Sequence, residues 1–268
     1  MKKEQLIIVR GGGDLATGTI HRLWTAGFPV LVLETEYPAA IRRQVSVSEA
    51  VYEGTVEIEG MNAVRIGRSS DMMQVISERK VPVLVDPQGK CIPRLHPFAV
   101  VDAILAKKNL GTNREMAKLT IGLGPGFIAG SDVDVVIETK RGHNLGRVIR
   151  CGQAAPNTGI PGNIGGYTEE RVIHAPAAGI IRNVCRIGDL VEKGETIARM
   201  ETGLGEICIP ASISGILRGL IRDGYPVTEG FKVADIDPRR EELHNCFTIS
   251  DKARCIAGSV LETIVFCL

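Results

Sequence analysis

A short apolar run, Leu6-Ile7-Ile8-Val9, breaks at Arg10-Gly11-Gly12-Gly13-Asp14 and gives way at Leu15 to helical spacing, with Ile20, Leu23 and Trp24 on one face. Gly27 stops that helix. Pro29-Val30-Leu31-Val32-Leu33 then reads as a second buried strand ending at Glu34. Strand, glycine loop, helix and strand in about 30 residues predict a β-α-β unit with parallel strands and a right-handed crossover. This arrangement commits the first part of the chain to an α/β fold.

The loop fits G-x-G-x-x-A through Gly11, Gly13 and Ala16, with Gly12 between the first two and Gly18 following. Glycines at the first two positions permit positive φ and close backbone approach, and Ala16 lets helix and strand pack tightly. The helix start offers unpaired N–H groups and a partial positive charge to phosphate. Glu34 closes the second strand, where a carboxylate can accept from a ribose hydroxyl. Asp14 reads as a cap for the helix. The same glycines also serve a plain tight turn, so both readings stand at this point.

Ser69 or Ser70 can cap a helix running to about Arg79, and Val81 to Val85 reads as a strand that delivers Asp86 to the same strand edge. Residues 97–108 read as a helix stopped by Asn109 and Gly111. Leu119 to Leu123 is a strand entering a second glycine loop, with Gly122, Gly124 and Gly126, and residues 132–139 read as a further strand. Loops after different strands of one parallel sheet gather at its carboxyl edge, so this loop can line the same crevice or be a plain turn. Arg141, His143 and Arg147 follow; Arg141 can hold an anion by bidentate pairing, or the segment is a basic hairpin. Cys91 and Cys151 fall in loops, either as reactive thiols or as inert ones.

Residues 150–166 are rich in Gly, Pro and Asn and read as a linker. Beyond them, residues 171–237 read as short strands with glycine turns and contain an internal repeat. Gly179-Ile180-Ile181 recurs as Gly215-Ile216-Leu217; Gly188, Val191 and Gly194 recur as Gly224, Val227 and Gly230; Ala198 recurs as Ala234, all at an offset of 36 without gaps. A duplicated all-β unit is expected, because one half alone cannot bury both faces. After Pro238 a helix returns, capped by Ser250, with Ala253, Ile256, Val260, Leu261 and Ile264 on one stripe. The β region is therefore expected to be an insertion, with the last helix packing back on the first domain.

Net charge is +1 and aromatic content is 4%, which argue against a nucleic-acid surface. No stretch approaches the roughly 18 apolar residues of a membrane helix. The seven cysteines form no C-x-x-C pair, so no zinc framework and no metal site are expected. With no targeting signal, free thiols point to the cytoplasm.

The stretches APAAGIIRNVCRIGDLVEKGETIARM and IPASISGILRGLIRDGYPVTEGFKVADIDP resemble the two halves of a biotinyl/lipoyl-like barrel-sandwich hybrid. The link from Glu195 to Pro210 contains no lysine, so the resemblance implies docking or structure rather than a carrier arm. The whole chain resembles the YqeB-type family of selenium-dependent molybdenum hydroxylase system proteins, through GGGDLATGTIHRLWTAGFPVLVLE, VDAILAKKNLGT, GLGPGFIAGSDVDVVIETKRGHNLGRVI and DKARCIAGSVLE. Together they imply a Rossmann-like, mainly parallel α/β domain over residues 1–165, completed by 241–268, and a barrel-sandwich insertion over 166–240. The family resemblance also implies an accessory role in maturing a molybdenum hydroxylase. The expected ligand is a nucleotide, NAD(P)-like, or a molybdopterin-type cofactor; expected partners are the hydroxylase or its maturation machinery, with a homo-oligomer also open. An NAD(P)-dependent oxidoreductase with His143 as proton donor, and a non-catalytic docking module, remain alternatives.

Overall fold

The computed structural model describes residues 5–159 and 162–268. Lys2 and Lys3, and the part of the linker at Ile160 and Pro161, lie outside the described residues. The chain divides into two compact units, residues 1–38, 46–158 and 249–268 in the first, and residues 39–45 and 159–248 in the second.

The first unit is built on a mixed, mostly parallel sheet. Its strands are β1 (Ile7–Arg10), β2 (Val30–Glu34), β3 (Thr55–Ile58), β4 (Met61–Ile66), β5 (Val81–Val85), β6 (Ala99–Asp102), β7 (Leu119–Leu123), β8 (Val135–Ile137) and β9 (Val148–Ile149). The spatial order is β3-β4-β5-β2-β1-β6-β7-β8-β9, antiparallel only at the outer pairs β3–β4 and β8–β9. From β1 the chain builds outward through β2 and β5, and then from the other side through β6, β7 and β8. The order therefore reverses between β1 and β6, the place where open α/β sheets leave a crevice at their carboxyl ends.

Side-chain alternation explains the layers. Ile7 and Val9 of β1 face a core shared with Ile20 and Leu23 of α1 (Asp14–Thr25), Ala50 and Val51 of α2 (Ala50–Glu53), and Ile256 and Val260 of the final helix. Ile8 faces the opposite side, with Met72 of α3 (Met72–Ser77) and Ile92 of α4 (Ile92–Leu95). Because both faces are covered, the central strands read as unbroken apolar runs rather than alternating ones.

That property defeats the helix expected over residues 97–108. Ala99 to Asp102 is instead β6, in parallel register between β1 and β7, and Val100 and Val101 are buried on opposite faces. A continuous apolar run does not separate a buried strand from a buried helix by periodicity alone. The chain then enters a loop in which Leu105 and Lys107 adopt left-handed φ values of 59° and 63°. Smaller differences follow the same logic. Neither Ser69 nor Ser70 caps a helix; they form a 3-10 turn ahead of α3, where the Ser70 hydroxyl donates to Asp71. The strand expected over 132–139 shortens to β8, because Asp132 and Asp134 turn their carboxylates onto the backbone N–H groups of Ile128 and Thr120.

In the second unit the strands are β10 (Val172–His174), β11 (Gly179–Asn183), β12 (Leu190–Val191), β13 (Thr196–Thr202), β14 (Gly205–Pro210), β15 (Gly215–Leu220), β16 (Pro226–Val227) and β17 (Lys232–Asp237). They make two four-stranded antiparallel sheets, β10-β17-β15-β12 and β14-β13-β11-β16. The offset of 36 maps β10 to β13 onto β14 to β17. Applied to the first sheet, it exchanges every strand for its counterpart and returns the order of the second. Each sheet thus takes two strands from each copy. The shared core repeats too, pairing Ile181 with Leu217, Val191 with Val227, Ile197 with Val233 and Met200 with Ile236.

Three stretches given to the first domain by the sequence, residues 39–45, 159–165 and 241–248, fall instead in the second unit. Arg42 is buried and donates to the carbonyls of Asn245 and Thr248, at 2.7 and 3.1 Å. Cys246 is part of the core around β15 and β17. Residues 39–45 and 241–248 therefore travel with the second unit.

The closing helix, α5 (Asp251–Phe266), is capped by the Ser250 hydroxyl, which accepts from the Ala253 N–H at 3.2 Å. It packs on α1, where Gly18 meets Ala253: a Cβ at Gly18 would lie 2.7 Å from the Ala253 Cβ and 2.9 Å from its carbonyl. Arg254 grips the Glu59 carboxylate at 2.6 and 2.7 Å, and the Ile249 N–H adds a third bond to the same group. Gly18→Val must push the two helices apart. It is expected to destabilise the first unit by about 1–3 kcal/mol, read as a lower urea midpoint with the second unit's transition unchanged.

Candidate functional site

The carboxyl end of β1 is held by a buried charged group. Arg10 closes β1, opposite Asp102 at the end of β6, and both side chains are about 2% exposed. Arg10 donates to the Thr112 hydroxyl and, at 2.9 Å, to the Pro87 carbonyl; Thr112 in turn donates to Asp102 at 2.6 Å. Burial pushes the Asp102 carboxyl up, against the opposing pull of Thr112, the Ile104 N–H and Arg10. One guanidinium thus ties together the chain segments that follow β1, β5 and β6.

On this base the motif glycines take distinct parts. Gly11 turns the chain with φ of 94°, and a Cβ there would touch the backbone of Ala103 and Ile104 at 3.0 Å. Gly12 donates to the Glu34 carboxylate at 2.7 Å and lies beneath Val47 and Ser48, where a Cβ would meet the Ser48 backbone N at 2.9 Å and the Val47 Cγ2 at 3.1 Å. Ser48 donates to the Gly12 carbonyl at 2.9 Å, and Val47 to the Thr17 hydroxyl at 3.0 Å. Ala16 is fully buried between helix and sheet. Gly13 differs from all of these: beyond its chain neighbours and its own helix, nothing lies within 4 Å of where its Cβ would be. It is the N-cap of α1, and no side chain caps the helix there. Asp14 is consequently the first helical residue and not the cap. The first helical bond runs from Thr17 to Gly13, so the helix itself supplies no acceptor to the N–H groups of Leu15 and Ala16.

Glu34 reaches the loop as the strand placement predicts, but its acceptors are engaged by the N–H groups of Gly12 and Thr35, each at 2.7 Å. Burial raises its pKa in spite of those bonds. Asp86 lies in a turn and accepts from the N–H groups of Lys90 and Cys91 at 3.0 and 2.8 Å. Burial pushes the Asp86 carboxyl up, but those bonds outweigh it and hold it below its usual range. The neighbouring Cys91 thiol is buried and pushed up to about 12 by burial and by Asp86, which removes it as a reactive thiol; Cys151 is exposed.

The second glycine loop is spent on packing. A Cβ at Gly122 would meet the Phe127 ring at 2.6 Å, one at Gly124 the Thr139 hydroxyl at 2.5 Å, and one at Gly126 the Lys108 backbone at 2.7 Å. Arg141 forms a bidentate pair with Asp251 at 2.7 and 2.9 Å and docks the start of α5 instead of offering its fork to a ligand. His143 is exposed in the turn that follows.

Two groups near this edge carry no motif. Lys107 and Lys108, which fall in the helix expected over residues 97–108, are exposed on the loop after β6, where Lys107 has a left-handed φ. Lys252 is half-buried at the start of α5. Burial pulls its ammonium below the usual lysine range and Arg141 adds to this, against the fields of Asp14, Glu138 and Asp251. The Ser250-Asp251-Lys252 helix start is legible in sequence, but its proximity to Asp14 depends on the α1–α5 packing at Gly18. Among the described residues, no group of three His, Cys, Asp or Glu side chains is placed to hold a metal ion.

No family model matches the chain. It is 49% identical over 261 residues to an Escherichia coli (strain K12) protein named "Uncharacterized protein YqeB", covering 97% of this chain and 47% of that one. The chain thus spans about half the length of the curated relative it matches. This likeness supports the YqeB name of the family resemblance. Among solved structures, the apo ectoine utilization protein EutE (DoeB) from Ruegeria pomeroyi is 11% identical, with 87% of this chain and 86% of that chain covered and a TM-score of 0.27. An aspartoacylase family protein from Mesorhizobium loti is also 11% identical, over 87% and 85%, with a TM-score of 0.28. Likenesses at these scores carry no argument about this chain.

The raised pKa of Glu34 has a testable sign. A carboxyl that holds its proton more tightly when folded contributes stability below its unfolded pKa, and that contribution is lost as pH rises through the folded value. Wild-type protein is therefore expected to lose stability relative to Glu34→Gln from about pH 4.5 upward through that raised value. Urea unfolding of both proteins across this range measures it; parallel pH profiles would show that Glu34 does not titrate as its burial requires.

Proposed function

We propose that the first unit binds a phosphate-bearing ligand, a nucleotide or a molybdopterin-type cofactor, at Gly13 and the first turn of α1. We propose further that the protein acts as an accessory factor in maturing a selenium-dependent molybdenum hydroxylase. The observation that carries the binding half is the open N-cap at Gly13. It lies in the loop that follows β1, the strand next to the order reversal, it has no side-chain cap, and the other motif glycines around it are packed by protein. A phosphate fits there because uncapped N–H groups and the helix dipole favour an anion. Lys252 adds positive charge near the same helix start. The maturation half rests on the YqeB-type resemblance, which the 49% identity supports in name.

The crowding at Gly12 weighs against an extended dinucleotide and thus against the oxidoreductase alternative. Val47 and Ser48 occupy the backbone face beside Gly12, and a ribose would have to share Glu34 with two backbone N–H groups. A short phosphate-bearing group needs neither place. For the second unit, the reading as a barrel-sandwich hybrid is supported by two sheets that exchange strands between copies. A docking role is supported by the β13–β14 hairpin, which presents a fully exposed Leu204 at its tip where a carrier would need a lysine.

Titration calorimetry of the purified protein with NAD, ATP, CTP and molybdopterin nucleotides tests the binding half. Gly13 has an ordinary φ of −66°, so Gly13→Glu introduces a side chain and a charge without backbone strain. It is expected to lower the affinity of whichever ligand binds by at least about tenfold with the thermal midpoint preserved. Lack of affinity for every one of these ligands would sink the proposal.

A further inference from the structure

We propose that β14 is the docking edge for a second copy of this chain, the two β14 strands pairing antiparallel about a two-fold axis at Ile207. The pairing concerns the second unit alone and is independent of the ligand reading of Gly13. β14 is an outer strand, bonded in its sheet only to β13, and it is the longest outer strand among the described residues. Outer strands are ordinarily kept short, because their free N–H and C=O groups can template a further strand. Residues 205–208 are all exposed.

The backbone decides which residues can pair. The β13–β14 hairpin closes at Thr202 and Gly205, and beyond its far end the Ala211 N–H donates to the Glu195 carbonyl at 2.8 Å. Bonding groups alternate along a strand, so the odd-numbered residues of β14 turn theirs toward β13, while Glu206 and Cys208 turn theirs outward. Pro210 also faces outward but has no N–H to offer. A second β14 can therefore meet this edge with Glu206 opposite Glu206, with Cys208 opposite Cys208, or with Glu206 opposite Cys208.

The exposed face of the sheet chooses among these registers. One row across β11, β13 and β14 runs Arg182, Arg199, Cys208, and the next runs Ile180, Glu201, Glu206. Within the chain the unlike charges meet diagonally, Arg182 with Glu201 at 2.9 Å and Arg199 with Glu206 at 3.3 Å. The first register sets two acidic rows end to end and the second sets two basic rows end to end, and like charges facing each other across strands are unfavourable. The third continues each basic row into the acidic row of the second copy, with the short Cys208 leaving Arg199 room to reach the facing Glu206. In that register each Glu206–Cys208 pair exchanges two backbone bonds, and the contact is self-complementary, as a two-fold interface must be. On the opposite face Ile207 lies across from the core residue Met200 yet stays 36% exposed at the open edge. Its counterpart on the axis covers it.

A contact along one short strand belongs with small, transient interfaces, so sedimentation equilibrium of the full chain is run over a concentration series reaching about 1 mM. The average mass is expected to climb toward twice that of the monomer. Cys208→Pro removes an outward N–H and leaves the bonds to β13 alone; Arg199→Glu sets an acid against Glu206 of the second copy. Each is expected to weaken association by about tenfold or more with the thermal midpoint preserved, and Arg199→Glu combined with Glu206→Arg is expected to restore it. If Cys208→Pro loosens the hairpin, the charge exchange decides. Ile207→Cys under diamide is expected to give a 207–207 disulfide, because the two positions face each other in this register and are displaced by two residues in the other two. The proposal is overturned by a wild-type chain that stays monomeric throughout, by a dimer that Arg199→Glu or a folded Cys208→Pro leaves unchanged, by a charge exchange that fails to restore association, or by a dimer without the 207–207 link.

Discussion

Everything at the carboxyl edge of the first unit is arranged around the Arg10 guanidinium. A buried charge of this kind is tolerated only when it is paired and hydrogen-bonded, and losing one partner costs about 3–5 kcal/mol. Asp102, Thr112 and the Pro87 carbonyl engage its two terminal nitrogens, while its Nε is buried without a hydrogen bond. Pairing those two nitrogens fixes where the chain leaves β1, β5 and β6. The close approach of Gly11 to Ala103 and Ile104, and of Gly126 to Lys108, follows from loops held so near together.

The glycines in this region fall into two physical kinds. Most are glycine because another part of the same chain occupies the space of a Cβ: the Phe127 ring at Gly122, the Thr139 hydroxyl at Gly124, Ala253 at Gly18. Gly13 has free space and an ordinary φ. Packing accounts for the first kind. The second kind is the position on which the proposed ligand reading rests.

What could be read from the sequence was local. The β-α-β opening depends on residues within about 30 positions of one another, and β1, α1 and β2 stand close to where the pattern of apolar residues and glycines places them. The repeat was legible because two segments obey one pattern at one offset. What could not be read depends on distant partners. Arg10 looked like part of a strand-breaking loop, and its burial is decided by Asp102 and Thr112. Arg141 has the chemistry of an anion site, but Asp251, at the start of a helix more than a hundred residues later, takes its fork. The helix misread at residues 97–108 is of another kind, since a strand buried on both faces erases the period that would identify it. Residues 39–45 carry no motif at all, and their place was set by β15 and the turn at Asn245.

The exchange of strands between the two copies in the second unit bears on how such a unit could arise and how it must form. Each sheet is incomplete until strands from both copies are present, so a single copy made as its own chain would leave two unfinished sheets with open edges. Its remedy would be a second identical chain, a symmetric dimer whose partners lend strands to each other. Joining those partners end to end gives the order seen here. It also puts completion of each sheet late in the second copy, at β16 for one and at β17 for the other, so this unit closes only once both copies have been made.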